Sequence, residues 1–300
     1  MDRFGSMSAF VAVVEEGGFS AASRKLGMPL ATVSRKVSDL EELLRVSLFT
    51  RSTRRVTLTD SGQQFFETAR RLLDELEEAE RAASGEYHAP RGELVITAPI
   101  VFGRLHLTPI VVEFLRAYPE VSVRLLLSDQ IANLLDEDTD LAVRISELSD
   151  SSMVAVRVGM VRTVVCASPS YLAKHGTPRH PSDLALHDCV TRSLLSSPDS
   201  WPFRIGKTID RFPVRRRLVV TTAEAAIDAA IADAGLTRVL CYQIVAAEKK
   251  GDLVKVLCDY EPEPVPLSLV YPSSRMTPLK LRAFIDYAVP RLKQRLQTIV

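Results

Sequence analysis

The 300-residue sequence predicts a protein of α/β class overall, preceded by a mainly α segment. Three observations predict this class. Short helical patterns separated by tight turns occupy residues 1–60, one long helical pattern with an apolar seam begins at residue 61, and strand-like and helical runs alternate from residue 91 onward. We therefore predict three segments, at residues 1–60, 61–90 and 91–300.

The clearest pattern in the first segment is a tight turn, Leu26-Gly27-Met28-Pro29, between two short helices. Gly27 is suited to the left-handed conformation that ends a helix, and Pro29 is suited to the first turn of the next one. In that next helix a spacing of four, three and four residues predicts one buried stripe, formed by Val33, Val37, Leu40 and Leu44. Such a unit is typical of a helix-turn-helix whose second helix enters the DNA major groove.

The opposite face of this helix offers hydroxyl groups and long cations, which suit phosphates and base edges. A solvated face of an ordinary amphipathic helix is the alternative interpretation. Upstream, the first helix is expected to stop at Gly17-Gly18, and Ser20 is expected to cap the second helix. The predicted DNA-binding set is Ser20, Thr32, Ser34, Arg35, Lys36, Arg51, Arg54 and Arg55.

The last three arginines of that set lie near the tip of a predicted β-ribbon, Leu48 to Leu58, in which Val56 and Leu58 face inward. Between Arg24 and Arg55 there are eight basic residues and three acidic ones, although the whole chain has a net charge of only +1. This local excess of five positive charges indicates a winged domain that binds a duplex backbone.

The second segment is predicted to be a dimerising linker helix that Thr59 caps. Its spacings of four and three give an a/d seam of Phe65, Ala69, Leu72, Leu76, Ala79 and Ala83. Seven acids and three arginines between residues 61 and 90 make this segment unsuited to DNA. Packing of the helix on its own domain remains the alternative, but pairing of two chains is favoured because a dimer places two recognition helices at two half-sites. Residues 84–92 are expected to form a hinge.

In the third segment, strand and helix patterns alternate and predict a largely parallel sheet. The four cysteines are widely separated, so we expect reduced thiols, several of them buried, and no metal site or cofactor. Met1 to Phe10 lacks a signal-like apolar stretch, and no run approaches the roughly 20 apolar residues that span a bilayer. We therefore expect a cytoplasmic protein that does not associate with membranes.

At this point the chain resembles the LysR-type transcriptional regulators. Five ordered blocks carry the resemblance: Phe10 to Ala22, Val33-Ser34-Arg35, Leu40-Glu41, Leu48 to Arg51 and Leu58 to Gly62. Two stretches depart from the family pattern. Met28-Pro29-Leu30-Ala31 replaces polar residues before the recognition helix, and Gly235-Leu236-Thr237-Arg238 replaces a Gly-Leu-Gly sequence.

The resemblance implies an effector domain like a periplasmic binding protein, with two lobes that the chain crosses twice, near residues 161–166 and 266–270. The lobes would be residues 91–162 with 267–300, and residues 163–266. It also implies a tetramer built as a dimer of dimers, whereas the linker seam by itself predicts only a dimer. Double-stranded promoter DNA, a small organic effector and RNA polymerase are the other partners expected.

Ligands of such folds bind between the lobes, where strand ends and helix N-termini meet. The residues expected there are Thr97, Ala98, Pro99, Ile100, Ser128, Asp129, Arg144, Thr191, Arg192, Ser193 and Thr222. Hydroxyl and N–H groups could hold a small anion, with Arg144 or Arg192 as the counter-charge. The alternatives stay open: the two arginines could be solvated or structurally paired, and Thr221 with Glu224 could form a capping box that satisfies the helix start.

Two other classes of protein agree less well with the sequence. An enzyme is disfavoured because no nucleophile elbow, phosphate-binding glycine loop or metal pair has the required spacing. His187-Asp188-Cys189 is the nearest approach to catalytic chemistry, and Asp136, Glu137, Asp138 and Asp140 form an acidic cluster that is best explained as a solvated loop. A solute-binding protein with an added N-terminal domain is disfavoured by the basic wing. The sequence thus predicts an effector-responsive, sequence-specific DNA-binding regulator of transcription.

Overall fold

The computed structural model describes residues 2–50, 56–84, 89–130, 139–147, 153–193, 199–273 and 277–297. The chain divides into two compact units, Met1–Gly92 and Glu93–Val300. The first unit is mainly helical, and the second contains two five-stranded sheets, so the mixed α/β class is confirmed.

The described part of the first unit contains four helices and a two-stranded ribbon. Its elements are α1 (Arg3–Glu15), α2 (Phe19–Leu26), α3 (Leu30–Leu44), β1 (Phe49–Thr50), β2 (Thr57–Leu58) and α4 (Asp60–Ser84). Phe10 of α1 is fully buried at the centre of the core, with the rings of Phe49, Phe65 and Phe66 at centroid distances of 5.3, 5.7 and 6.4 Å. The predicted stripe of α3 lies in the same core, which orients the opposite face of α3 outward.

The turn between α2 and α3 forms as expected, with Gly27 in the left-handed region at φ 62°. Pro29, however, is the residue before α3 and lies outside its first turn. The prediction that Ser20 caps α2 is wrong, since the N-cap is Gly18 and the helix begins at Phe19. The Phe19 ring packs 5.6 Å from that of Phe49, so core packing brings the start of the helix two residues earlier.

The ribbon is antiparallel, with Phe49 opposite Leu58, as expected for a wing. Val56 and Leu58 pack against the core of the first unit, which confirms their inward orientation. The tip of the predicted ribbon, with Arg51, Arg54 and Arg55, lies outside the described residues.

Helix α4 begins directly at the end of the ribbon. Thr59 caps it as predicted, because its Oγ1 accepts a hydrogen bond from the Gly62 N–H at 2.9 Å. The same hydroxyl donates to the carbonyl of Ser47 at 2.7 Å. A Cβ atom at Gly62 would stand 2.0 Å from the carbonyl oxygen of Leu48, so only glycine allows this close approach.

The start of the predicted dimer seam packs within its own unit. Ala69 is fully buried and Phe65 partly buried in the core around Phe10, and Phe66, which the heptad pattern missed, is buried beside them. For these two seam positions the alternative of packing on the same domain is therefore correct. Leu72 is exposed. The side chains of Ala79 and Ala83 lie outside the described part of the chain.

The first sheet of the second unit has the strand order β4-β3-β5-β14-β6. Together with its helices it forms what we call the first lobe. Its elements are β3 (Gly92–Ala98), α5 (Ile100–Phe102), a π-helical turn (Gly103–Leu107), α6 (Thr108–Ala117), β4 (Val121–Leu127), β5 (Leu141–Ile145), β6 (Met153–Val161), β14 (Val265–Pro272) and α10 (Leu279–Gln297).

The second sheet has the order β11-β8-β12-β7-β13 and, with its helices and one hairpin, forms the second lobe. Its elements are β7 (Thr163–Ala167), α7 (Pro169–His175), a 3₁₀ segment (Pro181–Leu186), β8 (Asp188–Arg192), the hairpin β9 (Ser200–Ile205) and β10 (Thr208–Pro213), β11 (Arg215–Val220), α8 (Ala223–Ile231), β12 (Leu236–Leu240), a 3₁₀ turn (Cys241–Gln243), α9 (Val245–Lys250), β13 (Val254–Val256) and a 3₁₀ turn (Cys258–Tyr260).

The chain passes from the first lobe to the second at Arg162, between β6 and β7, and returns between β13 and β14. The prediction of largely parallel sheets is wrong, because each sheet is mixed. Strand β14 runs antiparallel to β5 and β6, and β7 runs antiparallel to β12 and β13. Strands β14 and β7, which lie next to the two crossings, are thus antiparallel to their neighbours in sheets that also contain the parallel pairs β3–β5 and β8–β12.

All four cysteines are free, and three of them, Cys166, Cys189 and Cys241, are buried as expected. Cys258 is exposed. Among the described residues, no helix is long and apolar enough to cross a membrane.

Candidate functional site

The outer face of α3 presents the residues predicted to contact DNA. Arg35 is exposed, and no ion pair or hydrogen bond holds its guanidinium in the described part of the chain. Thr32 and Ser34 are half-buried on the same helix, and Ser20 is exposed on α2. Arg35 is therefore the long side chain of this face that is free to reach a base or phosphate.

Lys36 is placed differently, because Asp2 holds it. The Lys36 ammonium donates to Oδ2 of Asp2 at 2.9 Å, while Oδ1 of Asp2 accepts from the Gly5 N–H as the cap of α1. These two contacts, the Gly5 hydrogen bond first, lower the pKa of Asp2. The side chain of Lys36 is only 19% exposed, so it is less available to DNA than the sequence predicts.

The first lobe offers a set of hydrogen-bonded groups where β3 and β4 end. The Ser128 N–H donates to the carbonyl of Ala98 at 3.0 Å, and the Ile100 N–H donates to Oδ1 of Asp129, also at 3.0 Å. Pro99 stands between them as the N-cap of α5. Oδ2 of Asp129 and Oγ1 of Thr97 are buried and have no hydrogen-bond partner among the described residues.

The second lobe offers a matching set at the end of β8. Thr191 is only 2% exposed, and its Oγ1 lacks a hydrogen-bond partner in the described chain. Arg192 is largely buried, and its Nε is likewise unpaired. Ser193 is exposed, and its N–H donates to the carbonyl of Val220 on the neighbouring strand at 2.9 Å.

Two ion pairs join the lobes within the second unit. Nη1 of Arg192 lies 3.9 Å from Oδ2 of Asp129, and Nη2 of Arg104 in the π-helical turn lies 3.8 Å from Oε1 of Glu224. Both separations are longer than a hydrogen bond. Besides the buried aromatic contacts of Phe102 and His106 with Tyr242, the lobes therefore meet through charged groups whose hydrogen-bonding capacity is largely unused.

A threonine of the chain itself caps the start of α8, but one position later than the sequence indicates. Thr222 is the N-cap, and its Oγ1 accepts from the Ala225 N–H at 3.2 Å. The expected capping box of Thr221 and Glu224 is wrong, because Thr222, the last residue before the helix, takes the capping role. Glu224 instead faces Arg104, and its Oε2 is buried without a hydrogen-bond partner among the described groups.

Arg144 lies on β5, opposite Ser268 of β14. It is half-buried, and burial lowers its pKa. Arg144 takes part in an interaction within the protein, which favours the alternative of a structural role over that of the counter-charge of a ligand.

Sequence reasoning missed Arg238 as a site residue. Burial, followed by the charges of Arg192 and Arg211, lowers its pKa to about 10. In the described part of the chain no acidic group forms an ion pair with it. The signal was the departure noted at Gly235-Leu236-Thr237-Arg238, which places a cation in a strand that is otherwise apolar except for Thr237.

A second missed group lies in the first lobe. His106 is in the π-helical turn, 9% exposed, with the rings of Phe102 and Tyr242 at centroid distances of 5.1 and 5.4 Å. Burial, with a smaller contribution from Arg295, lowers the pKa of His106 to about 4. Its imidazole is therefore neutral at physiological pH.

Contacts within the fold involve His187, Asp188 and Cys189, the residues nearest to catalytic chemistry in the sequence. Burial raises the pKa of Cys189 to about 12, which disfavours the thiolate that nucleophilic attack requires. His187 contacts the hydroxyl of Tyr171 through Nδ1 at 3.3 Å, and Asp188 pairs with Arg215 at 3.2 Å.

Within the acidic cluster, Asp140 has a structural role. It accepts from the Val95 N–H at 2.8 Å and lies 3.8 Å from the Lys280 ammonium. Asp136, Glu137 and Asp138 lie outside the described residues.

Comparison with known proteins agrees with this arrangement. Residues 4–63 match the family described as bacterial regulatory helix-turn-helix protein, lysR family, and residues 88–293 match the LysR substrate binding domain. The chain belongs to the LysR family of transcriptional regulators. It therefore combines a DNA-binding domain with an effector-binding domain, and this family is one of regulators rather than enzymes.

Individual members of the LysR family match over nearly the whole chain. An HTH-type transcriptional regulator of Xanthomonas campestris is 36% identical over 94% of this chain and 83% of its own length. The structure of CrgA from Neisseria meningitidis matches with a TM-score of 0.62 at 31% identity, covering 96% of this chain and 98% of that one. The full-length structure of the Vibrio cholerae virulence activator AphB matches with a TM-score of 0.62 at 27% identity, covering 95% and 98%.

Proposed function

We propose that this LysR-family regulator binds its effector between the two lobes of the second unit, at the groups around Asp129 and Arg192. One observation carries the proposal. Polar atoms of Thr97, Asp129, Thr191 and Arg192 are buried without hydrogen-bond partners among the described residues, yet they come from strand ends of both lobes. Buried polar groups of a native protein are almost always paired, so a cluster of unpaired ones favours a ligand.

The charged contacts between the lobes suggest how the effector acts. A ligand that hydrogen-bonds to Asp129 and Arg192 together would bridge the two lobes, whose side chains are 3.9 Å apart at this contact. The effector stabilises the closed arrangement of the lobes only to the extent that it binds this arrangement more tightly than the open one. In this proposal lobe closure changes how subunits associate, and thereby the spacing and bend of the bound DNA.

The proposed assembly is a dimer through α4, with a tetramer of two such dimers. Leu72 is 39% exposed on the helix that the sequence predicts to pair, which supports a seam beginning there rather than at Phe65. The proposed segments are residues 1–60, 61–90 and 91–300, with lobes of 91–162 plus 267–300 and of 163–266.

For DNA we propose that α3 reads the major groove, with Arg35 as its principal contact and Thr32, Ser34 and Ser20 near the backbone. Lys36 contributes in this proposal only if its pair with Asp2 opens. The protein would act in the cytoplasm without a chemical step of its own, with RNA polymerase as a further partner at the promoter.

The test of this function is fluorescence anisotropy of the full chain on the intergenic DNA beside its own gene, with scrambled DNA as competitor, across a salt series. We expect tighter binding to the intergenic DNA and a steep inverse dependence on salt. Equal and weak binding to both duplexes would contradict a target at that locus. Sedimentation in the same buffer measures the oligomeric state.

A further inference from the structure

Three consecutive apolar residues, Pro29, Leu30 and Ala31, are exposed where α3 begins. Leu30 is the first residue of this helix, and it is 47% exposed. A run of three exposed apolar residues on a soluble protein needs a functional reason, and a partner that covers the run is the usual one. The start of α3 is therefore a candidate contact surface.

Packing within the first unit does not explain Leu30. It lies three residues before Val33, a spacing that would continue the buried stripe of α3. Val33 is fully buried, and Met28, on the other side of Pro29, packs against the same core. Among the described residues, Leu30 does not belong to that core. Its side chain thus lies beyond the edge of the core and meets solvent.

Leu30 lies at the end of α3 that is expected to be nearest to the bases. In a helix-turn-helix, the N-terminal residues of the second helix contact base edges in the major groove. Residues four apart on a helix are neighbours, which places Leu30 beside Ser34 and Ala31 beside Arg35. The exposed run therefore adjoins the hydroxyl group and the guanidinium that we assign to DNA.

Charge favours DNA over another protein as the occupant of this surface. Between Arg24 and Arg55, basic residues exceed acidic ones by five, and Arg35 is exposed. An apolar protein partner would leave Arg35 without a counter-charge. A duplex offers phosphates and guanine edges to the cation as well as methyl groups to the apolar run.

The chemistry of leucine limits what Leu30 can read in the groove. Its side chain has no hydrogen-bond donor or acceptor, so it does not match the polar edges of bases. In the major groove, the C5 methyl of thymine is the apolar group that distinguishes one base from the others. Contact between this methyl and a leucine removes apolar surface of both groups from water.

We propose that Leu30, with Ala31 next to it, contacts the C5 methyl of a thymine in each operator half-site and makes the protein select thymine there. Arg35 lies five residues further on, roughly 7.5 Å along the helix axis, which corresponds to about two base-pair steps. The selected thymine should therefore lie within about two base pairs of the base pair that Arg35 contacts. This inference rests on the proposed function, because it requires α3 to enter the major groove.

The experiment first selects binding sites for the full-length protein from a library of random duplexes. The selected duplex is then prepared with deoxyuridine in place of each thymidine in turn, which removes one methyl group and leaves base pairing intact. Fluorescence anisotropy measures the affinity for each duplex. We expect one methyl-dependent position in each half-site, with affinity about fourfold lower for each methyl removed, the loss that corresponds to burial of one such group.

Two variants of Leu30 and one control assign the contact. Leu30→Ala shortens the side chain but keeps a good helix former, so it should bind the thymidine and deoxyuridine duplexes equally well. Leu30→Gln, whose amide suits adenine, should lose the methyl dependence and shift the preference at that position towards adenine. Leu43→Ala is the matched control, because Leu43 is 40% exposed near the other end of α3. It should keep the methyl dependence of the wild type.

Equal affinity of the wild type for the thymidine and deoxyuridine duplexes would overturn the inference. Wild-type methyl dependence in Leu30→Ala would also overturn it, because another residue would then contact the methyl group. A lower Tm of Leu30→Ala, with affinity lost equally for both duplexes, would do the same by making Leu30 a structural residue.

The selection step separates this inference from the proposed function. Enrichment of one sequence without methyl dependence would leave the regulator function intact and overturn the contact of Leu30 with thymine. Enrichment of no sequence would contradict specific DNA binding, and the inference with it.

Discussion

Lys36 on the recognition helix and Asp2 at the start of α1 form an ion pair with a distance of 2.9 Å between Nζ and Oδ2. The same carboxylate caps α1 through its other oxygen. A single residue thus supports the first helix and restrains a predicted DNA contact. Removal of the charge at position 2, without loss of the cap, would release Lys36.

Asp2→Asn removes the charge and keeps the cap, because asparagine caps a helix as well as aspartate does. We expect tighter DNA binding and an increase of about 1 in the magnitude of the slope of log K against log salt, from one added phosphate contact. Asp2→Ala, which also removes the cap, is the comparison. An unchanged slope in Asp2→Asn would mean that Lys36 stays away from the phosphates even without its partner.

Arg35→Ala tests the exposed arginine of α3. If Arg35 reads a base edge, specific affinity should fall by about 1 to 3 kcal/mol while affinity for scrambled DNA changes much less. Anisotropy on both duplexes at several salt concentrations measures the two effects. Equal losses on both would instead make Arg35 a phosphate contact, and Arg116→Ala in the second unit serves as the control for lost charge.

Asp129→Asn tests the contact between the lobes. Asparagine retains an oxygen that can accept from the Ile100 N–H, but it no longer neutralises Arg192. We expect the free energy of unfolding, measured with denaturant, to fall by about 1 to 3 kcal/mol, because the largely buried guanidinium of Arg192 loses its ion-pair partner. Asp228→Asn, at an exposed position of α8, is the matched control. Unchanged stability would show that the contact between Asp129 and Arg192 does not stabilise the lobes.

His106 should make stability depend on pH. Its pKa is about 4 in the folded chain and 6.5 in the reference state, because burial disfavours the charged ring. The unfolded chain therefore binds more protons between these values. The stabilisation is fully present above about pH 6.5 and is lost as the pH falls through about 4, a change of roughly 3 kcal/mol.

His106→Phe keeps an aromatic ring against Phe102 and Tyr242 but removes the titrating group. The free energy of unfolding, measured with denaturant from about pH 7 to pH 4, should fall less steeply in this variant. His175→Gln, at an exposed position, should keep the wild-type profile. A wild-type slope in His106→Phe would attribute the acid sensitivity to other groups.

Much of the fold could be predicted from periodicity and turn chemistry. Val56 and Leu58 face inward as predicted, and Gly27 and Thr59 have the predicted roles. The incorrect predictions share a physical cause, because tertiary contacts determined the structure at these positions. Phe19 packs on Phe49 and starts α2 before Ser20, and Ala69 is buried against its own domain rather than left for a partner helix.

The site was less predictable for a related reason. Strand ends indicate where the lobes meet, so Asp129 could be named from the strand pattern, and Arg192 from the resemblance to the LysR family. The pairing of Arg104 with Glu224 and the isolation of Arg238 depend on which residues face each other across sheets and lobes. A pattern along one chain segment does not contain that information.

The close approach at Gly62 has a mechanical consequence. Because the Leu48 carbonyl fills the space that a side chain at position 62 would need, no flexible joint separates the ribbon from α4. The first turns of α4 and the recognition helix thus rotate as one rigid body. In a dimer formed through α4, the crossing angle of the two α4 helices would set the distance between the recognition helices, and with it the operator half-site spacing that the protein accepts.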